Sequence, residues 1–374
     1  MNLLMLSGDR DVAAGRRGPF YDTLAGLAAE FAHIDVLTPS GPDMHPRSLH
    51  GHVRVHPSSV PRVVQAVWLV RKARALAARR RYHLIVSHDH GMFSNGMAAL
   101  WLSPRLRTPY VSEIHHVPAH PKRAQWWEPA TKLGYRFYTR LAASRARAIR
   151  VVNRREVPDL LAAWGVPREK ILVLPSAYID RATFAPNGTP KRFARGFVGR
   201  LVANKNPRYL AAIIEAIAAA NPDARFVVVG RGREGERLRR RLELRGILGR
   251  VEMRPWVDGP AELAALYRQM DALVCTSLSE GGPRVCLEAM ACGVPVFTTP
   301  VGLMPETVQD GVNGWILPWD QAAGAELVRR VLADRPALQA AARAARAATE
   351  PFDRDRVLGA YASAYRALAE ENLA

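Results

Sequence analysis

Apolar positions along this chain follow two periods that alternate. Largely apolar runs at 3–6, 34–37, 84–87, 110–114, 148–152 and 171–174 have the length of buried strands. Between them, apolar residues recur every three to four positions. Such spacing predicts helices at 20–31 (Phe20, Leu24, Leu27, Ala28, Phe31), at 63–81 (Val64, Val67, Trp68, Arg71, Ala75), and at 92–102, 130–143 and 157–164. Strand and helix alternating at this interval imply a parallel sheet covered on both faces.

The stretch 175–190 breaks the pattern with Pro175, Ser176, Pro186, Asn187, Gly188 and Pro190, which is turn and linker chemistry. The alternation then restarts. Strands are expected at 195–198, 226–229, 251–253, 272–275, 295–298 and 314–317, with helices at 207–218, 234–245, 260–270 and 283–292. A last helix, 352–368, carries Val357, Tyr361, Tyr365 and Leu368 on one face. The expected fold is α/β, with two Rossmann-like domains at 1–180 and 181–350 facing across a cleft. The segment 351–374 is expected to cross back to the first domain. Ligands of such sheets bind beyond the carboxyl ends of the strands.

With 374 residues, 48% hydrophobic and 23% charged, the chain has the composition of a two-domain globular protein, not of a disordered one. No run of about 18 apolar residues is free of charge, Gly and Pro, so no membrane-spanning helix is expected. The first ten residues reach Asp9 too soon for a secretory signal and read as a strand instead. Lys and Arg number 53 against 34 Asp and Glu, a net charge of +19, and most of the excess falls in the first 180 residues. A basic half points to an acidic partner. Only six of the cations are Lys, however, so part of the excess reflects an Arg-rich coding bias. Cys275, Cys286 and Cys292 have no metal spacing and read as buried thiols of a reducing cytoplasm.

The chemistry concentrates at 271–293. An apolar strand ends in a polar loop carrying Glu280. Gly281 and Gly282 open the backbone, Pro283 suits a first helical turn, and Glu288 follows two turns on between Leu287 and Met290. A helix amino end preceded by glycines offers free N–H groups and a dipole to a phosphate, and the carboxylates can accept from hydroxyls. That combination suits a sugar bearing a diphosphate. Here the chain resembles the retaining glycosyltransferase family 4 (glycosyl transferases group 1), of the two-Rossmann GT-B fold. Glu280 and Glu288 have that family's Glu-x7-Glu spacing, and Glu288-Ala289-Met290-Ala291-Cys292-Gly293-Val294-Pro295-Val296 matches its motif throughout. Pro300-Val301-Gly302, Pro305-Glu306 and Asp310-Gly311-Val312-Asn313-Gly314 continue the likeness.

A second segment, Phe197-Val198-Gly199-Arg200-Leu201 followed by Asn204-Lys205-Asn206-Pro207, resembles the family's strand, Gly-Arg-Leu turn and Lys-Asn-Pro. Two cations at a strand's carboxyl end can hold a diphosphate as it departs. The resemblance implies metal-independent transfer of a sugar from a nucleotide-diphosphate donor, with retention and no cofactor. Arg200, Lys205 and the helix end at Arg284 would stabilise the leaving group. Glu280 would position the sugar, and Glu288 would bind the ribose. Gly199, Gly230, Arg231, Pro255, Gly281, Gly282, Pro283, Arg284 and Val285 would line the donor site. Tyr110-Val111-Ser112-Glu113-Ile114-His115 resembles the family's strand ending in a His that contacts the donor sugar, with His116 the alternative.

The first half departs from the family. Ala14-Gly15-Arg16-Arg17-Gly18-Pro19 stands where a Gly-rich loop is usual, and Pro175-Ser176-Ala177 replaces Pro-Asn-Gly. His88-Asp89-His90 could line the acceptor side, but an extended strand cannot aim all three at one metal ion. Two basic stretches containing aromatics, 63–81 and 122–150, suggest contact with an anionic membrane surface. The acceptor expected is a cell-envelope glycan or a lipid-linked one. The location expected is the cytoplasm, peripheral at the inner face of the membrane. Competing readings are a silent partner subunit, a nucleotide-sugar epimerase and a phosphorylase. No nucleic-acid motif accompanies the charge.

Overall fold

The computed structural model describes residues 1–41, 44–90 and 93–370. Met92, at the start of the expected helix 92–102, and residues 371–374 of the C-terminal segment lie outside the described residues. The chain separates into two compact units. One comprises Met1–His115, Leu133–Pro175 and Asp355–Ala374, and the other comprises His116–Lys132 and Ser176–Arg354. The segment 116–132 therefore groups with the second unit.

The first unit is built on β1 (Asn2–Leu6), β2 (His33–Thr38), β3 (Arg47–Leu49), β4 (Val53–Pro57), β5 (Leu84–His88), β6 (Tyr110–Ile114), β7 (Ala148–Val151) and β8 (Ile171–Val173). Their order is β3-β4-β2-β1-β5-β6-β7-β8, and all pairs are parallel except β3 with β4. Leu3, Met5, Ile34, Val36, Val86 and Val111 face one side and pack with Tyr361, Ala362 and Tyr365 of the helix Arg354–Glu370. The C-terminal helix thus completes the first unit's core. Their alternates Leu4, Leu6, Ile85 and Tyr110 are buried on the other face, as a sheet covered on both sides requires.

The second unit carries β9 (Arg195–Val198), β10 (Phe226–Val229), β11 (Val251–Arg254), β12 (Leu273–Cys275), β13 (Val296–Thr298) and β14 (Gly314–Ile316). All are parallel, in the order β11-β10-β9-β12-β13-β14. Phe226 and Val228 join one core with Phe297 and Trp315, while Val227 and Val229 join the other with Leu273 and Cys275. In each sheet the winding reverses once, between β1 and β5 and between β9 and β12. Such switch points open a crevice at the carboxyl edge, because the loops on either side diverge to opposite faces.

Two expectations change. Strands β3 and β4 and the helices Met304–Thr307, Gln321–Ala333 and Arg335–Ala347 were not expected. The segment 63–81 contains a shorter α-helix, Gln65–Ala77, and its buried line is Gln65, Leu69 and Ala73. The expected line fails because Val64 and Val67 face solvent. Among the described residues no helix is long and apolar enough to cross a membrane. The corrected face is testable by urea unfolding. Leu69→Ala should cost about 2–5 kcal/mol by leaving a cavity, whereas Val67→Ala should stay within about 0.5 kcal/mol.

Candidate functional site

The loops leaving β9 and β12 flank the second unit's switch point, and they are stitched together. The Leu278 N–H donates to the Asn204 carbonyl (2.8 Å), Asn204 Nδ2 to the Ser279 carbonyl (2.7 Å) and Thr276 Oγ1 to the Lys205 carbonyl (2.8 Å). On this frame Lys205 Nζ donates to Glu280 Oε1, which also accepts from Ser277 Oγ at 3.1 Å. Both partners are largely buried. Burial works against the Lys205 ammonium, but the Glu280 carboxylate outweighs it and holds the lysine above its ordinary range. An ammonium held this way stays charged at neutral pH beside an open strand end.

Glycines bring the neighbouring turns close. A Cβ on Gly230, whose φ is +147°, would stand 1.9 Å from the Gly199 carbonyl oxygen. One on Gly302, φ +56°, would stand 2.2 Å from that of Gly281. Both positions therefore require glycine. Arg200, Arg231 and Pro255 stand exposed around this edge. Pro283 lies one residue ahead of the helix Arg284–Ala291, not inside its first turn. Within that helix Glu288 is only 7% exposed; Tyr267 OH donates to its Oε2 at 3.0 Å, and Arg284 Nε lies 3.1 Å from Oε1. Burial raises the Glu288 pKa against the pull of Arg284. The Arg284 guanidinium lies 4.6 Å from the Tyr178 ring centre. Val285 packs partly buried against the core.

In the first unit, strand alternation places Glu113 and His115 on one face of β6. Register sets His88 of β5 and Arg150 of β7 directly beside Glu113. Glu113 is 1% exposed. Its Oε1 accepts from Tyr361 OH and, at 2.5 Å, from Tyr365 OH. Its Oε2 accepts from Arg150 Nη1 at 2.8 Å and His115 Nε2 at 3.1 Å, with His88 Nε2 at 3.4 Å. Burial opposes the charge on Glu113, but Arg150 and the histidines overcome it and hold the carboxyl well below its usual range. His88, whose Nδ1 lies 3.0 Å from Ser7 Oγ, is pushed down to about 4, chiefly by burial. His115 is 46% exposed and is the open end of this row.

The side chains of His88-Asp89-His90 diverge, as alternation demands. Asp89 turns to the opposite face, where it accepts from Ser87, Ser112 and Tyr138, and burial raises its pKa to about 7. His90 lies over Gly8. Arg16 pairs with Asp11 at 2.6 Å, and Arg17 stacks 5.6 Å from the Tyr21 ring centre. His116 is grouped with the other unit. The structure thus brings together Lys205 with Glu280, and Arg284 with Glu288. Sequence reasoning missed Ser277, Tyr267, Glu113 and Arg150. For Glu113 and Arg150 a signal existed, since each is a charge inside an apolar strand.

Two family models cover the chain: "Glycosyl transferases group 1" over residues 180–348 and "Glycosyl transferase 4-like domain" over 20–177. The D-inositol 3-phosphate glycosyltransferase of Segniliparus rotundus is 30% identical over 57% of this chain and 50% of its own length. That of Streptomyces avermitilis is 30% identical over 79% of this chain and 68% of its own. The chain spans about half the length of the first curated relatives it matches. Sucrose-phosphate synthase from Thermosynechococcus elongatus superposes with a TM-score of 0.80 at 21% identity, over 99% of both chains. HepE from Anabaena, in complex with UDP and glucose, gives 0.74 at 20% identity over 98% of this chain and 100% of its own. At these identities the likeness fixes the fold, the two Rossmann-like domains of GT-B proteins.

The buried His88 gives a pH test. Its folded pKa lies below its unfolded one of about 6.5, so only the unfolded chain takes up a proton there between about pH 6.5 and 4. Its contribution to stability is full above that window and is lost as pH falls through it. The advantage of wild type over His88→Gln should therefore shrink by on the order of 3 kcal/mol from pH 7 to pH 4. Urea unfolding at stepped pH reads this, and a constant difference would contradict it.

Proposed function

The chain belongs to the group 1 glycosyl transferases, and we propose that it moves a sugar from a nucleotide-diphosphate donor to a hydroxyl of a cell-envelope glycan or lipid-linked acceptor, with retention and without a metal. The observation that carries this reading is the Lys205–Glu280 pair at the second unit's switch point, with Gly199 and Arg200 beside it. The bond from the anomeric carbon to the phosphate oxygen breaks, and the electron pair leaves with the nucleoside diphosphate. Lys205, Arg200 and the N–H groups opening the helix Arg284–Ala291 oppose the charge that grows there. The acceptor oxygen bonds to the same carbon and gives its proton to the departing phosphate.

In this reading Glu280, held by Lys205 and Ser277, accepts from hydroxyls of the transferred sugar. Glu288, steadied by Tyr267 and Arg284, accepts from the ribose. His115 contacts the sugar. Gly199, Gly230, Arg231, Pro255 and the run from Gly281 to Val285 line the donor.

The acceptor side rests on a surface of the first unit. The helix Glu128–Arg145 turns Leu133, Phe137 and Leu141 to solvent, with Phe137 64% exposed, and Arg136, Arg140 and Arg145 are exposed alongside. Apolar side chains flanked by arginines match an anionic bilayer interface. The protein then works peripherally at the inner face of the membrane, on the cytoplasmic side.

Two measurements test the proposal. In a thermal-shift panel of UDP-, GDP- and ADP-sugars, one series should raise the wild-type midpoint by mass action. UDP-glucose is the first to try, since HepE is described with UDP and glucose. Glu288→Ala and Lys205→Ala should lose most of that shift; no shift with any nucleotide sugar would sink the donor assignment. Separately, the protein should float with phosphatidylglycerol vesicles at low salt and not with phosphatidylcholine alone. Phe137→Glu should abolish flotation while leaving the nucleotide-sugar shift intact.

A further inference from the structure

His115 is half-exposed, yet one of its two ring nitrogens is already committed. Glu113 Oε2 lies 3.1 Å from Nε2. That carboxylate sits in the sheet beside Arg150 and receives two tyrosine hydroxyls from the C-terminal helix. With four donors arranged around it, Glu113 can act only as an acceptor, so the proton of the His115–Glu113 bond belongs to Nε2. The hydroxyls that fix Glu113 come from Tyr361 and Tyr365, one helical turn apart on the buried face of Arg354–Glu370. The guanidinium that neutralises it is anchored in turn, with Arg150 Nε donating to the Leu174 carbonyl (3.0 Å) and Nη2 to that of Pro175 (2.9 Å). Neither Glu113 nor its partners can turn without stranding a buried polar group.

We propose that Glu113 is a positioning residue: it holds the Nε2 proton of His115 and so leaves Nδ1 as the ring atom that accepts a hydrogen bond from a hydroxyl of the transferred sugar. This rests on the reading that His115 meets the sugar. It adds which nitrogen does so, in which tautomer, and what fixes that choice. A neutral imidazole with Nε2 protonated carries a lone pair on Nδ1, which suits a hydroxyl donor and fails a carbonyl or phosphate oxygen. The preference follows from geometry two residues upstream and is independent of the donor's base.

The experiment is long-range proton–nitrogen NMR on the full chain with labelled histidine, with His115 identified by the signal lost in His115→Asn. Wild type should show His115 as the Nε2–H tautomer at pH 8. Glu113→Gln should mix the tautomers, because an amide can both donate and accept. A wild-type His115 protonated on Nδ1, or a pure Nε2–H tautomer retained in Glu113→Gln, overturns the proposal. The wild-type tautomer can refute it even if Glu113→Gln, which leaves a buried guanidinium unpaired, does not fold.

Titrating bare nucleoside diphosphate beside the nucleotide sugar completes the test. Glu113→Gln should erase most of the extra affinity that the sugar confers and spare the diphosphate's own binding. Retention of the full sugar increment would also overturn the proposal. If no nucleotide sugar binds wild type while the tautomer is as expected, the transferase reading fails and the hold of Glu113 on His115 stands.

Discussion

A carboxylate at 1% exposure inside the edge of a parallel sheet is the constraint around which the first unit is arranged. Removing a charge from water costs several kcal/mol unless partners with good geometry replace the solvent. For Glu113 those partners come from the neighbouring strands on both sides and from a helix 248 and 252 positions further along the chain. Arg150 is equally buried and closes its own requirement on the carbonyls of Leu174 and Pro175. One ion pair therefore fixes where the chain leaves this unit and where it returns. The C-terminal helix is bound by its apolar face and by two hydroxyls that have a single acceptor to satisfy.

The second unit meets the same problem differently. Lys205 and Glu280 are 75 residues apart in sequence, and the switch in strand order places their loops side by side. The backbone bonds between those loops position the pair before any ligand arrives, which is what preorganised electrostatics requires. Glycines at 230 and 302 let neighbouring turns approach within distances a side chain would forbid. A site of this kind is made mostly of backbone and of a few charges whose partners are protein groups.

This division explains what could be read from the sequence. Strands buried on both faces are largely apolar runs, and 110–114, 195–198 and 226–229 emerge with the expected bounds. The edge strand β3 and its neighbour β4 interleave Arg, Ser and His with apolar residues and were not legible. The helix Arg335–Ala347 was missed because its apolar face is mostly alanine. The helix Gln65–Ala77 misled because its exposed face carries Val64 and Val67 at its start while a glutamine sits on the buried line. For the site, motif spacing named Glu280, Glu288, Arg200 and Lys205. It could not pair Lys205 with Glu280, since that contact depends on strand order. Nor could it give Glu113 a role, because Arg150 and the two tyrosines lie far away in the chain.

Two fully buried arginines separate structural charge from charge placed for chemistry. Arg150 reaches Glu113 and two carbonyls at the carboxyl edge of its sheet, where Ser7, His88 and His115 also gather. Arg195 opens β9 at the amino end of its sheet. Its Nε and Nη2 find no hydrogen-bond partner among the described residues, its guanidinium lies 4.8 Å from the Phe297 ring centre, and burial lowers its pKa to about 9. The side chain of Arg195 is packed for its bulk and its face, and its charge is a cost the core absorbs. At Arg150 the charge is what the neighbours are arranged to meet. The difference follows sheet polarity: strands end in loops that can diverge around a ligand only at their carboxyl edges. A buried ion compensated there can direct an exposed group such as His115, and one at the opposite edge has no comparable group to direct.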